Sequence, residues 1–130
     1  MPYLIDSDWV IDHLDDVSAA VQLLQQLVPA GIAISVITYM EAYQGVERSP
    51  DPLTARAKLQ AFVDGVPVVF LSIAIAQRCA RLRESLRAQG RRVNPRALDL
   101  IIGATALEHS LTLVTRNVHD YSDIPGLAIY

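Results

Sequence analysis

Three carboxylates occupy positions where a packed α/β chain has little ordinary use for charge. Asp6 ends the apolar run Leu4-Ile5, and Asp99 shares a helical face with Ile102, Gly103 and Ala106 at i, i+3, i+4 and i+7 spacing. Glu41 lies one helical turn beyond Thr38 in Ser35-Val36-Ile37-Thr38-Tyr39-Met40-Glu41. An ionised group among apolar neighbours costs several kcal/mol unless something compensates it. Each acid has a simpler reading on its own: Asp6 as a helix cap, Asp99 as a first-turn residue favoured by the helix dipole, Glu41 as a surface glutamate. Taken together, carboxylates gathered in one depression either share protons or bind a cation. Oxygen-only ligands select a hard ion, Mg²⁺ or Mn²⁺, over zinc or copper. Such an ion aligns a phosphodiester, activates a water and stabilises a leaving oxygen. His13, His109 and His119 show no metal-ligand spacing.

The elements that would bring these acids together follow from pattern. Tyr3 to Ile5 reads as a strand, with Asp8 able to cap a helix beginning near Trp9. A helix is expected over Val17 to Val28, a strand over Ile32 to Ser35, and helices over Ile37 to Val46 and Leu53 to Val63. A strand over Val66 to Leu71 precedes a helix over Ile73 to Ala88. Asn94-Pro95 is a helix-start signal for a helix from Pro95 to His109. Leu111 to Val114 reads as another strand and Leu127 to Tyr130 as a short fifth. Strands alternating with helices predict a three-layer α/β/α domain with a mostly parallel central sheet. Sites in such sheets lie beyond the carboxyl ends of the strands, so Asp6, Ser35, Glu41, Thr115, Arg116 and Asn117 are expected at one edge.

The 130 residues, 52% of them hydrophobic, suffice for one core, and a single domain over residues 1–130 is expected. No apolar run approaches the roughly 20 residues of a membrane span. The opening Met-Pro-Tyr-Leu-Ile-Asp has no basic region, so no secretory signal is read there and a cytoplasmic location is expected. Cys79, the single cysteine, excludes an internal disulfide and a multi-cysteine zinc site. The net charge of −3 decides nothing about nucleic acid, but its distribution is uneven. Arg78, Arg81, Arg83, Arg87, Arg91, Arg92 and Arg96 are seven of the eleven basic residues and fall within nineteen positions alongside one acid, Glu84. Either they form a solvated helix face or they guide a phosphate backbone towards Asp99, with Arg87, Arg91, Arg92, Arg96 and Arg116 as candidate RNA contacts.

Leu-Ile-Asp-Ser at Leu4 to Ser7, Ser-x-x-Thr-x-x-Glu at Ser35 to Glu41, Asp-x-x-Ile-x-Ala-x-Ala at Asp99 to Ala106, and Leu-Val-Thr-Arg-Asn-x-x-Asp-Tyr at Leu113 to Tyr121 resemble, in order, the motifs of the PIN-domain nucleases. The nearest subgroup is the toxin of VapBC-type toxin–antitoxin pairs. This resemblance implies a metal-dependent endoribonuclease with Asp6, Glu41 and Asp99 as ligands of Mg²⁺ or Mn²⁺. It implies that Ser7, Thr38 and Thr115 are supporting hydroxyls. The fourth polar group of the family falls on Asn117, with Asp120 three residues on as the other candidate. Asp8 departs from the amide or small polar residue more usual in the family. The resemblance further implies a homodimer, a cognate VapB-like antitoxin, and a structured RNA substrate.

Two other classes compete. Asp6-Ser7-Asp8-Trp9-Val10 matches the short signature of haloacid-dehalogenase-type phosphatases, which also require a later lysine; the single lysine is Lys58. A PIN scaffold without activity, binding RNA or protein, is the other. A receiver domain fits less well, because the third strand ends at Leu71-Ser72 rather than at an aspartate.

Overall fold

The computed structural model describes residues 2–130. Its centre is a four-stranded, all-parallel sheet in the order β3-β2-β1-β4. The strands are β1 (Tyr3–Ile5), β2 (Ile32–Ser35), β3 (Val68–Val69) and β4 (Thr112–Val114). Parallel neighbours need crossovers, and helices supply them. These are α1 (Ser7–Leu14), α2 (Ser18–Leu27), α3 (Val36–Arg48), α4 (Pro52–Gly65), α5 (Ile73–Ala88), α6 (Ala97–Glu108) and α7 (Val118–Tyr121). The expected α/β/α layering is therefore present.

Strand alternation sorts the core into two parts. Leu4, Ala33 and Leu113 are in register across β1, β2 and β4, and all three pack with Ile75, Leu82, Leu100 and Ala104 of α5 and α6. Ile5, Ile32, Ile34 and Val114 point to the opposite face, against Val10, Leu24, Val46 and Leu59 of α1 to α4. Because strand side chains repeat every second residue, Asp6, Ser35 and Thr115 continue the register of Leu4, Ala33 and Leu113. They emerge at the carboxyl edge on the side of α6, the helix that carries Asp99. After β3 the chain crosses back past β1 to reach β4, so connections diverge on either side of Asp6.

The boundaries of β1, β2 and α5 coincide with the sequence expectation, and five departures have physical causes. Asp6, not Asp8, caps α1: the helix starts directly after the strand, and Asp6 Oδ1 accepts the Ser7 N–H at 2.8 Å. The third strand is two residues rather than six, because its partner β2 ends at Ser35, the register mate of Val69, leaving Phe70 and Leu71 exposed. Asn94 to Arg96 form a 3₁₀ turn before α6, and the Asn94 amide oxygen accepts from Arg83 rather than capping a helix. The expected fifth strand is one parallel bridge, Leu113 to Ile129. Helix α7 was not foreseen. Among the described residues no helix is long and apolar enough to cross a membrane.

Candidate metal centre

Asp6 is only 4% exposed, yet both of its oxygens are served. Oδ1 receives the Ser7 N–H, and Oδ2 receives the Thr115 hydroxyl at 2.7 Å. The Thr115 oxygen in turn accepts the Asn117 N–H at 3.0 Å. Asp6 is thus helix cap and site acid at once. Burial pushes its carboxyl above the usual range; the bonds from Thr115 and Ser7 oppose that, and the charges of Asp99 and Asp8 add to it. Thr115→Val removes the short bond to a buried carboxylate and is expected to destabilise the protein by about 2 kcal/mol at neutral pH, read by urea unfolding.

Glu41 is held through hydroxyls. The Ser7 hydroxyl donates to Glu41 Oε1 at 2.6 Å and lies 3.0 Å from Thr38 Oγ1. With its one proton spent on the carboxylate, Ser7 must accept from Thr38. Thr38 is anchored at the start of α3, where Ser35 caps the helix by accepting the Thr38 N–H at 3.0 Å. The three side chains Ser7, Ser35 and Thr38 are all buried, so the row of hydroxyls is fixed by packing and polarised towards Glu41. Ser35 joins Ser7, Thr38 and Thr115 as a supporting hydroxyl.

Asp99, half-buried in the first turn of α6, accepts a hydrogen bond at Oδ1 from the hydroxyl of Tyr121, 3.2 Å away. Burial raises the Asp99 carboxyl above its usual range; the Tyr121 bond lowers it, the charges of Asp120 and Glu41 raise it, and Arg96 lowers it. Asp6, Glu41 and Asp99 therefore lie within electrostatic reach of one another in turn: Asp6 feels the charge of Asp99, and Asp99 that of Glu41. Asp120 joins them at the exposed rim. Asn117 turns its side-chain amide to Asp8, at 3.3 Å.

Negative oxygens that raise one another's pKa fit a hard divalent cation, and the donor set contains no nitrogen or sulfur. Among the described residues no three Asp, Glu, His or Cys side chains close on a point where they alone would hold an ion. A cation here would need water or substrate oxygens to complete its shell.

The arginines divide. Arg96 makes a two-pronged bond to Asp123 at 2.7 and 2.9 Å and donates to the Asp120 carbonyl, while Arg91 lies 3.5 Å from Asp123. Arg87 pairs with Glu84 on its own helix. Arg116 pairs with Asp12 and lies 3.9 Å over the Trp9 ring. Arg83, Arg87, Arg91 and exposed Arg92 rim a cleft of about 890 Å³ floored by Cys79 and Ile101, on the α5 side of α6. Arg96 is thus a strut between α6 and the segment after α7. Sequence reasoning missed Tyr121 and Asp123 as site supports; Tyr121 stood in the last motif, but nothing local marked its hydroxyl as aimed at Asp99.

The phosphatase constellation is not assembled. Lys58 bonds Asp16 at 2.8 Å and the Leu14 carbonyl, and Asp8 is exposed and held by Asn117. The third strand has no terminal aspartate, which removes the receiver reading.

Known proteins resemble the chain over nearly its whole length. The chain is 28% identical over 127 residues to the "tRNA(fMet)-specific endonuclease VapC" of Shigella flexneri, covering 98% of this chain and 95% of that protein. It is 32% identical over 126 residues to "Ribonuclease VapC19" of Mycobacterium tuberculosis, covering 95% of each. Its fold superposes with a TM-score of 0.88 and 25% identity on the Rickettsia felis VapBC2 structure bound to a promoter DNA fragment, covering 100% of this chain and 98% of that one. A sequence model of the PIN domain matches residues 3–126, and the chain belongs to the PIN domain family.

Proposed function

We propose that this protein is the endoribonuclease toxin of a VapBC-type pair, a single nuclease domain that hydrolyses RNA phosphodiester bonds with Mg²⁺ or Mn²⁺ held by Asp6, Glu41 and Asp99. The observation that carries the reading is that three neighbouring acids, from the end of β1, α3 and α6, are each oriented by a donor from elsewhere in the fold. The bound cation supplies charge neutralisation for the phosphate and a water of lowered pKa. The chain's own residues do the rest. Thr115 and the Ser7 N–H fix both oxygens of Asp6, the Ser7 hydroxyl fixes Glu41, and Tyr121 fixes one oxygen of Asp99. Such oriented donors keep the charges in place without reorganisation as negative charge builds on the reacting phosphate.

Of the two candidates for a fourth group, Asp120 is the better supported, because its charge reaches Asp99 whereas the Asn117 amide is turned to Asp8. Of the candidate arginines, Arg92 is best suited to touch the RNA backbone, being exposed and, among the described residues, outside any ion pair. A VapB-like antitoxin is the proposed partner, supported by the likeness to solved VapBC complexes. A homodimer is supported by the apolar Phe70 and Ile73, close in sequence and 73% and 76% exposed. The proposed location is the cytoplasm.

The test is to incubate the purified protein with a structured RNA and Mg²⁺ and map the new ends. Cleavage leaving 5′-phosphate and 3′-hydroxyl ends, stopped by a chelator and restored by Mg²⁺, is expected. Cleavage unaffected by chelation, or a phospho-aspartyl adduct without RNA cleavage, contradicts the proposal. Mg²⁺ binding without cleavage of any RNA points to the scaffold reading.

A further inference from the structure

Helix α7 is a single turn, too short to hold its position alone. Three contacts secure it, two to α6 and one to the loop before α6. Arg96, at the start of α6, grips both carboxylate oxygens of Asp123 and the carbonyl of Asp120, so it spans the residues on either side of Tyr121. Arg91 adds a second cation on Asp123, which is 14% exposed in its side chain. Gly103 lets the segment lie close: a Cβ there would stand 2.9 Å from Ile124 Cδ1 and 3.8 Å from the Tyr121 ring. The result buries Tyr121 to 1% exposure with its hydroxyl on Asp99 Oδ1. Among the described residues Asp99 Oδ2 receives no hydrogen bond, so Tyr121 anchors one oxygen of the pair.

We infer that Tyr121 is a positioning residue for the metal centre: its hydroxyl, clasped over α6 by the Arg96–Asp123 pair, fixes the orientation of Asp99. The inference rests on the proposed function, since it takes Asp99 as a metal ligand. An outer hydrogen-bond partner of this kind is worth about 10- to 100-fold in metal affinity. A merely structural tyrosine would affect folding but not the affinity of the folded protein for an ion.

The experiment is calorimetric titration of the full chain with Mn²⁺, for the parent, Tyr121→Phe and Asp123→Asn, with RNA cleavage measured in parallel. Phe keeps the buried ring and deletes only the hydroxyl; Asn keeps the hydroxyl and weakens the clasp. Tyr121→Phe is expected to bind Mn²⁺ about 10- to 100-fold more weakly, to cleave slowly with the KM for RNA unchanged, and to recover when Mn²⁺ is raised. Asp123→Asn is expected to shift in the same direction by less. Parental Mn²⁺ affinity in Tyr121→Phe, or a cleavage defect that excess Mn²⁺ does not restore, overturns the inference alone. Should Tyr121→Phe not fold, parental affinity in Asp123→Asn overturns it. A parent that binds no Mn²⁺ overturns the proposed function and this inference with it.

Discussion

Asp6→Asn is expected to lower RNA cleavage by about a thousand-fold or more while the protein stays folded. The local structure explains the second half. Asn is as good a helix cap as Asp, so the oxygen that accepts the Ser7 N–H at 2.8 Å survives the change. The neutral amide also escapes the penalty of holding a charge at 4% exposure beside Asp99 and Asp8. The amide nitrogen takes the place of Oδ2 and can only donate to the Thr115 oxygen, which offsets part of that gain, so metal-free thermal stability at neutral pH should stay close to that of the parent. The loss of activity follows from charge. A ligand carboxylate contributes several kcal/mol of cation binding and phosphate neutralisation, and each ~1.4 kcal/mol is tenfold in rate. A variant that cleaves within about tenfold of the parent would remove Asp6 from the mechanism.

The second large effect is an inverted pH dependence of stability in the absence of metal. Asp6 and Asp99 have folded-state pKa values raised above the ordinary 3.8, chiefly by burial. The folded state therefore holds protons that the unfolded state has released, and the stability they contribute is lost as pH rises through the raised values. Asp123 works in the other direction. Its partner Arg96 holds its carboxyl below the ordinary range, so its contribution is present at neutral pH and lost only as pH falls through that lowered value. Metal-free protein should accordingly gain stability as pH falls through the raised values of Asp6 and Asp99, then lose it as pH falls through the lowered value of Asp123. Saturating Mg²⁺ should reverse the first trend, because a cation needs the carboxylates deprotonated. Thermal melts between about pH 4 and pH 8, with chelator and with Mg²⁺, check this. Parallel curves in the two conditions would mean that these acids do not titrate against a cation.

Much of the site was legible in the sequence because it depends on short-range pattern. Leu4-Ile5-Asp6 and Ile32 to Ser35 announce buried strands ending in polar groups, and two-residue alternation then sends Asp6, Ser35 and Thr115 to one face. Asp99 stood out as a charge on an apolar stripe. What remained hidden depends on contacts between distant segments. Asp6 reads locally as a helix cap, but its second oxygen takes the hydroxyl of Thr115, 109 residues away, which no single segment reveals. Helix α7 has one turn and no hydrophobic period to display, so neither it nor the aim of the Tyr121 hydroxyl had a local signature. The arginine-rich stretch suggested one basic surface. Instead Arg96 is spent on Asp123, 27 residues away in sequence, while Arg92 stays exposed. The apolar run Val66 to Leu71 predicts a longer strand than forms, because its neighbour β2 stops at Ser35 and only Val68 and Val69 pair.

Everything in this account turns on a cation held by carboxylates from three separate segments. Isothermal titration of Mg²⁺ into the metal-free parent and into Asp99→Asn, at neutral pH, addresses that most directly. Saturable binding by the parent that disappears in the variant, while circular dichroism shows both folded, is the predicted result. No saturable heat with the parent, or equal binding by Asp99→Asn, would contradict it.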